Sequence, residues 1–209
     1  MKKFDNIGKE ILIPDCWDDI SFEQYTRLNE KKDIWEKQTN DFLKIVNVLT
    51  LITPYPKGEF LTFDVNTYNS VIECLKFMEL PPHQIKKDYY ILDNEKYFLK
   101  EKLDLITVGE QISFEICTQN LKDDGGGLYA VALLLRKDLS LPFDPEDFTN
   151  MILKVKQLPI TDFLYISSFF LRGVLNYIIN LKNYSKLKPM MVQELLGEGD
   201  TLMIINGME

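Results

Sequence analysis

A mainly helical protein of α+β type, with a small antiparallel sheet, is what this 209-residue sequence predicts. Three observations carry the prediction. Helix-start signals recur at Ser21, Thr107 and Thr161. Apolar residues tend to one helical side over 33–52, and a long apolar run covers 163–181. Strand-like runs, rich in aromatic and β-branched residues, are confined to about 9–13 and 89–99.

In chain order, "KEILI" predicts a strand over 9–13. "DISFEQY" then places Ser21 as a helix N-cap with Gln24 three residues on, the reciprocal capping-box spacing, and Ile20 and Tyr25 where a hydrophobic staple packs. The first helix is expected from Phe22 to about Lys31. One longer helix is expected through "DIWEKQTNDFLKIVNVLTLI", until Pro54 and Pro56 stop it. A third runs through "VNTYNSVIECLKFMEL" and ends before Pro81 and Pro82. "YYILDNEKYFL" reads as a β-hairpin turning at Asp93-Asn94, so that the N-terminal strand and this hairpin form the sheet. Thr107 and Glu110 open a further helix from Val108. "KDDGGGL" is a break near 121–127, and "LYAVALLLRK" a compact buried helix. "LPFDPEDF" starts another helix with Asp144 as cap and Pro145 at its first position. "LPITDFLYISSFFLRGVLNYIINL" gives the longest helix, capped by Thr161. A short helix over 191–196 precedes a glycine-bearing tail. The whole reads as one domain, 1–209, or as two lobes, 1–121 with strand, hairpin and helices and 128–209 all helical, sharing one core.

A shift of 86 positions sets "EILIPDCWDDIS" over "KYFLKEKLDLIT" without a gap. Both read as strand, short connector, apolar-Asp step and capped helix, with Asp18 over Asp104 and Ile20 over Ile106. Internal duplication is one explanation of that grammar. The bare needs of helix initiation are the other.

Composition narrows function mostly by exclusion. Apolar residues make up 45% and charged residues 27%, the balance of a folded chain rather than a disordered one. A net charge of -8 argues against general affinity for phosphate backbones. The lysines of "LKNYSKLK", Lys182, Lys186 and Lys188, follow a helix whose C-terminus favours cations, so nucleic-acid binding through them is the lesser reading. The first fourteen residues contain no apolar run of signal-peptide length. The run 163–181 is long enough to span a bilayer, but Arg172 in its middle costs roughly 2.5–3.5 kcal/mol there. Burial against protein explains it better, and no membrane partner is expected.

No catalytic, cofactor or metal constellation stands out. The three cysteines, Cys16, Cys74 and Cys117, form no CxxC pair, and His83 is the single histidine. A hydrolase or transferase using Cys74 or Cys117 with His83 is the alternative from the enzyme class. "DDGGG" lacks the lysine and the preceding strand of a phosphate cradle, and reads as a hinge. With 13 Phe, 10 Tyr and 2 Trp, the chain is rich in the side chains that build cores and interfaces. Phe163, Phe169, Phe170, Arg172 and Tyr177 on the long helix, and the tail after Gly197, are the candidate protein contacts. Core packing within the monomer is the competing role for each, and Arg172 is expected to pair with an acid.

The stretches "IPDCWDDISFEQY", "YILDNEKYFL", "LDLITVGEQI", "LYAVALLLRKD" and "LPITDFLYISSFF" together resemble a diffuse set of tailed-bacteriophage proteins. That set belongs to phages of Bacteroidetes hosts, crAss-like phages among them. They are more loosely similar to baseplate-hub assembly proteins of contractile-tailed phages. The likeness spans residues 9–171 and carries no catalytic motif. It implies a non-enzymatic virion or virion-assembly protein, associated with head-tail junction, tail or capsid. Such a protein would work in the host cytoplasm or within the virion, through contacts with other virion proteins or with itself.

Overall fold

The computed structural model describes residues 1–101, 109–110, 112–113, 126–141, 144 and 147–183, without the side chains of Trp35, Gly126 and 174–183. Thr107, Cys117, Pro145, Lys186, Lys188, the expected helix over 191–196 and the tail lie outside these residues.

The chain opens on a hairpin. Strand β1 (Lys2–Asn6) pairs antiparallel with β2 (Lys9–Ile13), with Phe4 opposite Ile11 and Asn6 opposite Lys9. Ile7 and Gly8 close it at φ of 54° and 76°, the left-handed geometry that a two-residue turn needs to match strand twist. Glycine adopts it freely. A β-branched isoleucine does so at a cost of roughly 1–2 kcal/mol. Phe4, Ile11 and Ile13 are buried beneath the hairpin.

A 3-10 turn at Trp17–Asp19 leads into α1 (Phe22–Glu30). The predicted capping box is present: Gln24 N–H donates to Ser21 Oγ at 3.2 Å, and Ser21 N–H to Gln24 Oε1 at 2.7 Å. The long helix expected over 33–52 is instead two, α2 (Lys32–Glu36) and α3 (Asp41–Ile52). Asn40 divides them, because its side-chain oxygen accepts from Leu43 N–H and caps a fresh start. α4 (Lys57–Leu61) follows the prolines, and Asp64 caps α5 (Val65–Leu75), which tightens into a 3-10 turn over Lys76–Glu79.

The second hairpin is as expected: β3 (Tyr90–Leu92) and β4 (Glu95–Leu99) turn at Asp93 and Asn94, with φ of 50° and 61°. It does not join the N-terminal strand. β2 has its partner in β1, and β4 takes β5 (Leu135–Arg136) on its other side, giving the order β3-β4-β5. The helix expected over 128–137 runs from Gly126 to Leu134 as α6, and its last residues form β5. Then come α7 (Phe148–Val155), which begins later than the expected Asp144 cap, and α8 (Ile160–Asn183). Residues 109–110 and 112–113 are helical, where the helix from Val108 was expected.

The two hairpins correspond position for position at the 86-residue offset. Phe4 opposite Ile11 becomes Tyr90 opposite Tyr97, and Asn6 opposite Lys9 becomes Leu92 opposite Glu95. β2 and β4 alternate exposed and buried in the same order. The left-handed residues 7 and 8 fall on 93 and 94.

The chain divides into two compact units. One comprises Met1–Tyr97 and Asn150–Tyr165, the other Phe98–Thr149 and Ile166–Glu209. In the first, Trp17 is buried with edge contacts to Tyr25 and Phe77, and its indole N–H donates to the Leu80 carbonyl at 2.9 Å. In the second, the residues from Leu128 to Leu135 are buried apart from Tyr129, whose ring lies tilted against Phe148. There the buried Glu110 carboxylate takes Lys100 at 2.6 Å and Arg136 at 3.2 Å. Burial pushes the Arg136 guanidinium down and Glu110 pulls it back up.

Candidate functional site

The contact residues expected on the long helix separate by position on α8. Phe163 and Phe170 are buried inside the chain, so the competing core role holds for these two. Phe163 stacks on Phe22, with ring centroids 3.8 Å apart. Phe169 is half-buried, and Leu171 and Arg172 are exposed. The expected pairing of Arg172 with an acid is not met among the described residues and is otherwise untested, since the side chains of 174–183 and all residues after 183 lie outside them. Tyr177 lies on α8, with its side chain outside the described set.

The N-terminal end of α8 builds a polar junction in the first unit. Thr161 was expected to cap this helix. The helix begins one residue before it, and the buried Thr161 hydroxyl donates to the Asp18 carboxylate instead. Backbone stitches join the same segments: Phe22 N–H to the Leu158 carbonyl at 2.8 Å, Glu23 N–H to Lys156 at 3.0 Å, and Ile160 N–H to Ile20 at 2.8 Å. These satisfy donors that a helix start would otherwise leave without partners. Asp162, one residue on, is 3% exposed and ion-paired with Lys87 at 2.6 Å. Burial pushes its carboxyl up, Lys87 pulls it down, and nearby Asp18 adds to the rise, which prevails.

Beside this junction lies a hollow of about 370 Å³, lined by Asp18, Ser21, Gln24, Thr53 and Gln157 among others. Its polar groups are committed to the protein itself. Gln24 completes the capping box and also donates to the Ile52 carbonyl at 2.7 Å, which closes the end of α3. Thr53 donates to the Leu49 carbonyl at 2.7 Å, and Gln157 to Glu23 at 3.0 Å. Arg27 holds the Glu23 carboxyl below its ordinary range. The arrangement ties helix ends together.

Asp15, Cys16 and Asp19 bring one potential metal-ligand atom each within 4.8 Å of one another. The α-amino group of Met1 already supplies a cation there, 3.0 Å from Asp15 and also paired with Asp19. Burial pushes the Cys16 thiol up, the reverse of what a thiolate ligand needs.

For the enzyme alternative, Cys74 sits buried on α5 and burial raises its thiol as well. His83 lies exposed in the connector after Pro82. An activated nucleophile calls for the opposite environment, a thiol lowered by a neighbouring cation or imidazolium. No helix among the described residues is long and apolar enough to cross a membrane.

Sequence reasoning missed the surface around the first hairpin tip. Asn6 is buried and donates through Nδ2 to the Glu59 carbonyl at 3.0 Å and to Thr62 Oγ1 at 2.8 Å. Leu12 N–H donates to the Tyr55 hydroxyl at 3.2 Å, and Lys9 pairs with Glu59. The hairpin is thereby clamped onto the Tyr55–Thr62 segment, while Ile7 at its tip is 86% exposed. "NIGK" between two alternating runs was the available signal, hidden because Ile-Gly is a rare turn pair. No family model, no curated protein and no solved structure matches this chain.

Proposed function

We propose that this chain is a non-enzymatic structural or assembly protein of a tailed bacteriophage, acting in the infected host cytoplasm or within the virion. It works by contact with other virion proteins or with its own copies. The observation that carries this reading is how the molecule spends its polar and apolar groups. Around the hollow, Ser21, Gln24, Thr53 and Gln157 all bond the protein's own backbone or side chains. Ile7, Val65, Leu80, Leu141 and Leu153 meanwhile stay exposed on the surface. Apolar side chains presented by a well-bonded scaffold suit a protein that works by being covered. The phage assignment itself comes from the sequence resemblance over residues 9–171.

Mass spectrometry of purified particles, paired with deletion of the coding sequence, tests it. A virion component is present in particles. An assembly factor is absent from them, yet its deletion lowers particle yield. Particles that lack the chain and form normally without it overturn the proposal.

A further inference from the structure

Strand β1 has one side in its ladder and the other side open. Leu12 stands opposite Lys3, yet its N–H donates to the Tyr55 hydroxyl at 3.2 Å. Lys3 and Leu12 are therefore a pair whose main-chain groups face away from the β1–β2 ladder, and alternation makes Asp5 and Glu10 another. Tyr55 occupies the outer edge of β2 at Leu12. On β1 the N–H and C=O groups of Lys3 and Asp5 have no partner among the described residues, and no third strand joins the pair. Such an edge is a template for another strand.

The charges along this edge are unbalanced within the single chain. Asp5 stands directly opposite Glu10, a like-charge pair that disfavours the hairpin. Lys3 reaches diagonally to Glu10 at 3.0 Å. Asp5 has no ion-pair partner among the described residues, and its carboxylate accepts only the Gly8 N–H, at 2.8 Å. Lys3 and Asp5 are both exposed and, two residues apart, project from the same face of the strand. A lysine alone guards an edge. A lysine followed by an aspartate on the same face makes the edge complementary to itself.

We infer that β1 pairs antiparallel with β1 of a second copy of this chain, about a two-fold axis at Phe4, giving one continuous sheet in the order β2-β1-β1-β2. In this register Lys3 of each copy stands opposite Asp5 of the other, and each such pair exchanges both main-chain hydrogen bonds. The arriving lysine faces the carboxylate that its own chain leaves beside Glu10. Other registers fail. A one-residue slip sets outward-facing main-chain groups against inward-facing ones. A two-residue slip sets Lys3 against Lys3 in one direction and Asp5 against Asp5 in the other. Charge and ladder geometry therefore select a single isologous contact. The inference gives the contact-forming role proposed above one partner, a second copy, and rests on that reading.

Sedimentation equilibrium of the purified full chain, up to roughly 1 mM, tests it alongside amide hydrogen exchange. The expected result is a concentration-dependent dimer in which the Lys3 and Asp5 amides exchange more slowly than in the dilute monomer. Lys3→Glu and Asp5→Lys should each weaken self-association at least tenfold, because each sets like charges opposite. Mixing the two variants should restore a one-to-one dimer, since both cross-pairs are then of unlike charge. Lys3→Pro removes only an N–H that faces away from β2, so it should leave the hairpin bonded and abolish the dimer. A monomer at every concentration overturns the inference, as does a dimer indifferent to these variants, no dimer on mixing, or unchanged exchange at Lys3 and Asp5. If the chain is found in particles yet sediments only as a monomer, this edge fails while the assembly role stands. If the dimer forms but the chain has no part in particle formation, the assembly role fails while the edge stands.

Discussion

Phe22 and Phe163 lie stacked, centroids 3.8 Å apart and planes 18° from parallel, so that the first turn of α1 is keyed to the first turn of α8. With the Phe22-to-Leu158 and Ile160-to-Ile20 backbone bonds beside it, the stack joins residues far apart in sequence into one junction. Removing the buried ring should open a cavity. Phe163→Ala is expected to cost about 3–5 kcal/mol in urea unfolding. Phe169→Ala, on the half-buried side of the same helix, should cost less than about 1 kcal/mol. Equal costs would mean that the two sides of α8 are not distinguished by burial.

Gln24 holds two helix ends at once, the start of α1 through Ser21 and the end of α3 through Ile52. Gln24→Ala should therefore destabilise more than Ser21→Ala, which removes one reciprocal cap worth about 1 kcal/mol. Gln24→Ala also strips partners from part-buried backbone groups and should cost roughly 1–3 kcal/mol. Chemical denaturation of both variants settles the ranking.

Asp162 and Glu23 should give opposite pH dependences. The folded-state carboxyl of Asp162 is raised, chiefly by burial, so the folded protein binds its proton more tightly than the unfolded chain. Stability from this group is greatest below the ordinary Asp range, near 3.9, and declines as pH climbs through the raised value. Glu23 is lowered, chiefly by Arg27, so its contribution is present above the ordinary Glu range, near 4.3, and is lost as pH falls through the lowered value. Urea midpoints measured from pH 3 to 8 should lose the falling limb in Asp162→Asn and the acid loss in Glu23→Gln. The same pH profile in parent and Asp162→Asn would remove the buried-carboxyl assignment.

Cys74 should resist thiol reagents. In a Cys117→Ser background, Cys16 should label first at pH 7.5, and Cys74 at least tenfold more slowly until denaturant is added. Both thiols are raised by burial, Cys74 being the more deeply placed. Rapid labelling of Cys74 in the folded protein would revive a reactive-thiol role.

Local chemistry made much of this fold legible. The Ser21–Gln24 box, the Asp93-Asn94 hairpin and the long helix α8 are encoded by neighbours in sequence, and each forms where its residues place it. What stayed hidden depends on distant partners or on a broken local rule. β1 was concealed because Ile7 occupies a turn position that sequence preference assigns to Asn or Asp. The split at Asn40 needs a cap whose strength apolar periodicity masks. Thr161 has every mark of an N-cap, yet its hydroxyl goes to Asp18, which sequence does not place nearby. Phe163 and Phe170 illustrate the same limit for function, since aromatic identity alone does not distinguish the inside of a monomer from its contact surface.

The discontinuous make-up of the first unit sets a timetable for the newborn chain. Residues 1–97 leave the ribosome well before residues 150–165 exist to complete them. At roughly 5–20 residues per second the interval is several seconds. Throughout it, Phe22 lacks its stacking ring and the start of α1 lacks the carbonyls of Lys156 and Leu158. The nascent N-terminal segment therefore waits with apolar surface uncovered, and a holding chaperone has its opening there.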